Sequence, residues 1–412
     1  MKATVSSKKP EKEAVREAAK PAAKPAKPAK VAAREADDRP SISDVIRSVN
    51  AQMKNDVIRR SSEMETLYLL RRPSGIITLD IELGGGFPAS ATTVLVGPDG
   101  AGKDYLLWKT AAECQKIYGK EFCMAVYFTE FKADKPFMRD FCGLQIAFSE
   151  AEVEAYDEAG IAVGKPALTA ERRKELKTQV GEILIIDGVI AETAFDAIMT
   201  LVESNRCQMV IINSIGSLQT DAKEAADSFS DFPQQSNEAM LINKFIPKLA
   251  NVLNNDRNGR NETSLFIVNQ MRSKRDAQPV RGRPAVEKDK YEPGSKSWAL
   301  KHGKAIELAL HKGPVHRDAA DNSVAGRKIR WEITKGKLGT HDGKSGEWDF
   351  FYDGGVDVVG DLVAACQRYE LFEGASWITY EHPEYGFKVH GKEGVRRRLI
   401  ESPELITHLR YE

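Results

Sequence analysis

Between residues 97 and 108 the chain reads GPDGAGKDYLLW, with glycines and a lysine spaced to hold phosphate. The pattern G-x-x-x-x-G-K runs through Gly97, Pro98, Asp99, Gly100, Ala101, Gly102 and Lys103. Such a loop curls backbone N–H groups around phosphate oxygens, the helix that follows adds its positive end, and the lysine adds a full charge. The next residue should be Ser or Thr, whose hydroxyl is a ligand of the Mg²⁺ bound with ATP. Here it is Asp104, followed by Tyr105. The second metal element should be an apolar strand ending in Asp, yet the matching run CQMVIINSIGSL ends its strand in Asn213. The hydroxyl position has become a carboxylate and the carboxylate position an amide, so the number of carboxylates at the metal is unchanged. Two readings stay open. One is a decayed ATPase with two independent losses. The preferred one is an exchange of roles, in which Asp104 ligates Mg²⁺ and the Asn213 amide donates a hydrogen bond to it. Two adjacent carboxylates would repel, and one would tend to hold a proton.

These residues need a strand, a turn and a helix in that order, and TTVLVG ahead of the loop and DYLLWKTAAECQ after it supply them. From about residue 66 to 357, short β-rich runs (CMAVYF, ILIID, MVIIN, SLFIVN, AIELAL) alternate with helical stretches. That alternation predicts an α/β fold with a mostly parallel, twisted sheet flanked by helices, and the phosphate-loop motif within it would make it a P-loop ATPase core. The charged, helix-patterned segment 146–180 is read as a surface insertion. Upstream, in SISDVIRSVNAQM, Ile42, Val45, Ile46, Val49 and Met53 fall at helical spacing behind a Ser N-cap. The 41–65 segment therefore carries a helix that either packs on its own core or docks on a neighbouring subunit. After FFYDGGVD, residues 358–412 (ASWITY, YGFKV, GKEGVRRRLIES) suggest a small α+β domain.

Composition narrows the function classes. The chain is 412 residues long, 42% hydrophobic and 29% charged, an ordinary mixture for a soluble globular protein. No apolar run is long enough to span a membrane, and the lysine-rich start lacks the apolar core of a signal peptide. The cysteines, Cys114, Cys123, Cys142, Cys207 and Cys366, show no C-x-x-C spacing and read as reduced thiols in a cytoplasmic compartment. Formal net charge is zero, so any nucleic-acid binding must rest on local basic patches. Residues 1–40, rich in Lys, Pro and Ala, cannot bury enough apolar surface to order themselves and are predicted to be a disordered basic arm.

Spread over nearly everything after residue 41, the chain resembles the RecA-type recombinases of bacteria and phages. PSGIITLDIELGGGFPA resembles the family's stretch ahead of the phosphate loop. VYFTEFKADKPFMRDFCGL resembles its second strand, which implies that Glu130 activates the attacking water. SLFIVNQMR resembles the strand ending in the glutamine that senses the γ-phosphate, here Gln270. WEITKGKL resembles the strand whose two lysines reach the ATP of the adjacent subunit, here Lys335 and Lys337. FFYDGGVD resembles the turn whose tyrosine stacks near the adenine, here Tyr352. The final stretch from DLVAACQRYELFEG onwards resembles the family's C-terminal domain. The exchange at Asp104 and Asn213, Tyr105, the 146–180 insertion and the Lys/Pro/Ala arm depart from the family pattern.

The resemblance also places the nucleic acid. Residues 271–296 form a long polar stretch with eight basic and four acidic residues right after Gln270. It matches the family's second DNA-binding loop, and Arg272, Lys274, Arg275, Arg281 and Arg283 would neutralise phosphates there. The first such loop would fall near 219–236, where Phe229 and Phe232 could wedge between bases. In the last domain, Lys388, Lys392, Arg396, Arg397 and Arg398 would gather duplex DNA. The implied function is ATP- and Mg²⁺-dependent homologous recombination. Helical filaments on single-stranded DNA, joined through the 41–65 helix, would pair it with homologous duplex in the cytoplasm, on nucleoid or phage DNA. A different class competes: a non-hydrolysing filament or DNA-coating protein with a decayed ATPase site. A RecA-fold motor such as a replicative helicase is a third option, against which the family-like C-terminal domain argues.

Overall fold

A computed structural model describes residues 40–54, 57–58, 60, 62, 70–130, 134–221, 236–254, 261–273, 291–293, 297–374 and 376–410. The basic arm, apart from residue 40, and Phe229 and Phe232 lie outside these residues, as do Lys274, Arg275, Arg281 and Arg283. Two compact units divide at Leu67 and Tyr68. The first contains α1 (Ile42–Met53), started by Ser41, whose hydroxyl accepts from the Asp44 N–H at 3.2 Å. None of its residues is buried, and Ile42 and Met53 are open to solvent. The Asn50 side chain exchanges two 2.9 Å hydrogen bonds with the backbone of Ile58.

The second unit opens with a short ladder, β1 (Arg71–Arg72) against β2 (Phe87–Pro88), around α2 (Ile77–Glu82). The elements that build the site come next: β3 (Ala91–Gly97), α3 (Lys103–Tyr118) and β4 (Cys123–Phe128). The predicted insertion contains α4 (Glu150–Ala162) and α5 (Ala170–Leu176) and leads into the edge strand β5 (Glu182–Ile186). Ser149 and Glu152 form a capping box at the start of α4, and Asp157 fastens α4 to α5 by accepting from Leu168 N at 2.7 Å and pairing with Arg173. Then follow α6 (Ala191–Glu203), β6 (Met209–Asn213), α7 (Ser236–Leu253), β7 (Ser264–Ser273), β8 (Tyr291–Pro293), α8 (Trp298–Gly303) and β9 (Ile306–Arg317).

Strands β5, β4, β6, β7, β3 and β9 run parallel in that spatial order. In β3, β4, β6 and β7 both faces are covered, so their apolar runs are buried on both sides, whereas the edge strand β5 buries no residue and leaves Ile185 exposed. Leu95, Met124, Val126, Ile211 and Phe266 point into one buried cluster with α3; Val94, Ala125, Val210, Ile212 and Ile267 point into another with α6 and α7. Truncating a fully buried Ile or Leu of this kind to Ala costs about 2–5 kcal/mol. Beyond β9 the sheet turns antiparallel through β10 (Val324–Lys335), β11 (Ser345–Phe351) and β12 (Gly355–Val356).

The chain after residue 357 gathers α9 (Val358–Arg368), the hairpin of β13 (Trp377–Tyr380) and β14 (Phe387–His390), α10 (Gly391–Glu401) and α11 (Pro403–Leu409) around a core of its own. Asp361 of α9 accepts from the N–H groups of Ile77 and Thr78 at 2.5 and 3.3 Å, tying α9 to the start of α2. Within the expected basic surface, Arg396 is engaged by Asp357 and Arg398 by the Ser402 hydroxyl. Among the described residues no helix is long and apolar enough to cross a membrane.

Candidate nucleotide site

Parallel registry brings the chemistry to one end of the sheet. Gly97, the last residue of β3, stands opposite Gln270 on β7, and Phe128 at the end of β4 stands opposite Asn213 at the end of β6. Glu130 lies two residues past Phe128. The phosphate loop, Glu130, Asn213 and Gln270 thus converge outside the C-terminal ends of parallel strands, where open α/β sheets bind their ligands. They line a cavity of about 670 Å³.

The loop has the backbone that its glycines allow. A Cβ at Gly97 would lie 2.7 Å from the Leu310 carbonyl oxygen, so only glycine lets β3 lie this close to β9. Gly102 has φ +84°, the left-handed turn that swings the chain into α3. Lys103 is buried, and its Nζ donates to the carbonyls of Gly97 and Pro98, both at 2.9 Å. Burial lowers its pKa, while Asp104, Asp99 and Glu130 pull the other way. Ala101 is buried with its N–H on the Pro98 carbonyl at 3.2 Å.

Asp104 occupies the first turn of α3, and its Oδ1 accepts a 3.1 Å hydrogen bond from the Asn213 amide. Water reaches Asp104 through the cavity, yet protein surrounds most of it, and this burial raises its pKa against Lys103 and the Asn213 bond. Tyr105 faces inward. Its ring packs edge-on against Phe141 and Phe350, its hydroxyl accepts from Val356 N at 3.1 Å, and it contributes to the cavity wall.

Glu130 collects donors. Its Oε1 accepts from the hydroxyls of Ser214 (2.7 Å) and Ser217 (2.8 Å), and Gln270 Nε2 donates to Oε1 at 3.0 Å and Oε2 at 2.9 Å. Ser214 follows Asn213 across a cis peptide bond. Sequence reasoning did not single out Ser214 or Ser217 as partners of Glu130, because an unremarkable Ser spacing after a strand carries no signal.

At the far end the wall is aromatic, with Phe137, Phe350 and half-exposed Tyr352 beside Asp134 and Arg327. Arg327 Nε donates to the Tyr352 hydroxyl at 3.1 Å. Arg327 was also missed, although period-two alternation along β10 puts it on the same face as Ile329, another cavity residue.

Lys335 and Lys337 do not line this cavity. Lys335, at the end of β10, donates from Nζ to the carbonyls of Lys301 (2.7 Å) and His302 (3.4 Å), closing the C-terminal end of α8. Burial, and then Lys337, lowers its pKa. Directly after Gln270, Met271, Arg272 and Ser273 pair antiparallel with Pro293, Glu292 and Tyr291, so Arg272 stands at the foot of the segment that carries the other basic residues.

Among the described residues no group of three or more His, Cys, Asp and Glu is placed to hold a metal ion by itself. The donors present suit an ion that arrives with phosphate: Mg²⁺ keeps several waters and takes one or two carboxylates plus phosphate oxygens. Asp104, with Oδ1 fixed by Asn213, has its other oxygen to offer.

No family model matches the chain. Curated proteins do. The Protein RecA of Thermus aquaticus is 25% identical over 383 residues, covering 91% of this chain and 94% of the relative. The Protein RecA of Oceanobacillus iheyensis is 23% identical over 379 residues, 91% of each. That of Cutibacterium acnes is 23% identical over 382 residues, 92% of each. On these matches the chain is a distant relative of the RecA proteins, and its mostly parallel sheet flanked by helices is consistent with a RecA-like α/β core.

Proposed function

We propose that this chain is an ATP-dependent recombination protein that assembles on single-stranded DNA and pairs it with homologous duplex. One observation carries the reading: a single cavity brings together the phosphate loop, the bonded Asp104–Asn213 pair, Glu130 with Gln270, and an aromatic slot at Tyr352. In this reading the altered motif is an exchange of roles. Mg²⁺ bound with ATP would neutralise charge developing on the phosphates. Asp104 would hold the ion through Oδ2 while the Asn213 amide fixes Oδ1. Lys103 would leave the Gly97 and Pro98 carbonyls for the β and γ phosphates. Gln270 would turn from Glu130 to the γ-phosphate, leaving Glu130 to take the proton of the attacking water. Lys335 and Lys337 would serve the adjacent subunit's nucleotide, the 41–65 segment with its helix α1 would link subunits, and the 358–412 lobe would gather duplex.

A second reading has one observation behind it. Both carboxylate oxygens of Glu130 are engaged by Ser214, Ser217 and Gln270, an arrangement also suited to a filament that binds nucleotide and never turns it over. Formation of joint molecules between circular single strands and homologous linear duplex, with ATP and Mg²⁺, tests the proposal. Recombination requires joint molecules that depend on ATP and homology. DNA coating without pairing would favour the second reading.

A further inference from the structure

Of the five tryptophans, Trp108, Trp331 and Trp348 are buried, whereas Trp298 is 68% and Trp377 57% exposed. Trp298 begins α8, the helix that follows the basic 271–296 segment. Its ring leans on that of His302 at 4.3 Å between centroids, and Lys301 Nζ stands 5.3 Å from the indole centroid. The helix is held in place: Asn243 Oδ1 on α7 accepts from the Ser297 hydroxyl at 2.8 Å and from Ala299 N at 3.1 Å. Lys335 brings a further cation against the end of α8. The surface therefore combines an exposed indole on an anchored helix with the ammonium groups of Lys301 and Lys335. A purely apolar partner has no use for the ammonium groups beside the ring. A strand of unpaired bases on a phosphate backbone uses both.

We propose that Trp298, flanked by Lys301 and His302, is a base-stacking contact for single-stranded DNA outside the polar 271–296 segment. The inference rests on the DNA-binding reading given above and adds to it a residue that the basic segment does not contain.

The test uses the full chain with Mg²⁺ and ATP, as wild type, Trp298→Ala, Trp298→Phe and a Trp377→Phe control. The probes are an oligodeoxythymidine and an abasic oligonucleotide of equal length. Loss of a stacked base should weaken oligodeoxythymidine binding about 5- to 150-fold in Trp298→Ala. Trp298→Phe should recover most of it, Trp377→Phe should change nothing, and the abasic probe should bind wild type and Trp298→Ala alike. Iodide quenching of wild-type fluorescence should fall on adding oligodeoxythymidine, and this protection should vanish in Trp298→Phe. If wild type binds DNA and Trp298→Ala binds equally well, the proposal fails and the DNA reading stands. If wild type binds no single-stranded DNA, both fail. Iodide protection that grows with protein concentration alone would make this face a contact between copies and overturn the proposal.

Discussion

Replacing Asn213 by Asp puts the exchange of roles under direct strain. The amide nitrogen that now lies 3.1 Å from Asp104 Oδ1 would become a carboxylate oxygen. At that separation two unit charges repel by about 5 kcal/mol at an effective dielectric constant of 20. Water reaches the pair through the cavity, and screening brings the expected penalty to about 1–2 kcal/mol, roughly 5- to 30-fold in an equilibrium constant. Part of it can be relieved by holding a proton between the two carboxyls, a process that the burial around Asp104 already favours. Nucleotide binding by Asn213→Asp at low Mg²⁺ should therefore weaken by that factor near pH 7.5 and recover as pH falls towards 5.5. High Mg²⁺ should restore it. Asp104→Thr alone leaves no carboxylate from this pair and should lose Mg²⁺-dependent binding. The double variant restores a hydroxyl and a carboxylate and should bind better than the sum of the single losses allows, because both residues act on one ion. Fluorescent-nucleotide titrations of the four proteins across Mg²⁺ and pH measure all of this. Additive losses, or an Asn213→Asp protein indifferent to pH and Mg²⁺, would refute the reasoning.

Three further outcomes follow from other parts of the chain. Burial raises the Asp80 carboxyl from 3.8 to about 7, against N–H donation from Ser74 and Gly75. The folded state therefore holds a proton that the unfolded chain releases, so this group's contribution to stability declines as pH rises from about 4 to 7 and is flat above. Denaturant unfolding of wild type and Asp80→Asn across that window should show the wild type losing on the order of a few kcal/mol relative to the variant; parallel pH curves would contradict it. Lys335→Ala should abolish DNA-stimulated ATP hydrolysis and spare nucleotide binding by the isolated subunit, with a stability cost of about 0.3–1 kcal/mol from the lost closure of α8; loss of monomer binding would place Lys335 in its own subunit's site. Changing Arg272, Lys274 and Arg275 together to Ala should flatten the log–log salt dependence of single-strand binding by about 0.7 per lost phosphate contact, and an unchanged slope would move the DNA site elsewhere.

Strands β3, β4, β6 and β7 were legible because each carries a short apolar run, and alternate residues of these runs feed the two different cores. The antiparallel extension was harder to read. AIELAL marks only the start of β9, which continues through HKGPVHR to Arg317 because β10 pairs with it along nearly its whole length. Charged, exposed edge residues conceal such a strand, and only its partner defines it. The motif positions, with the repulsion that two adjacent carboxylates would suffer, gave the expectation that the Asn213 amide donates to Asp104, and the two side chains are hydrogen-bonded at 3.1 Å. The contacts of Ser217 with Glu130 and of Arg327 with Tyr352 join residues 87 and 25 positions apart, and local pattern holds no trace of them. Lys335 and Lys337 were singled out only by the family resemblance; β10 ends at Lys335, so Lys337 lies beyond the strand, and the grip of Lys335 on the end of α8 depends on how two distant elements meet.

The most direct test of the account is steady-state ATP hydrolysis by the full-length chain, with Mg²⁺ varied and single-stranded DNA present or absent. The account predicts turnover that requires Mg²⁺ and rises when single-stranded DNA is added. ATP bound without turnover at every Mg²⁺ concentration, with or without DNA, would contradict it.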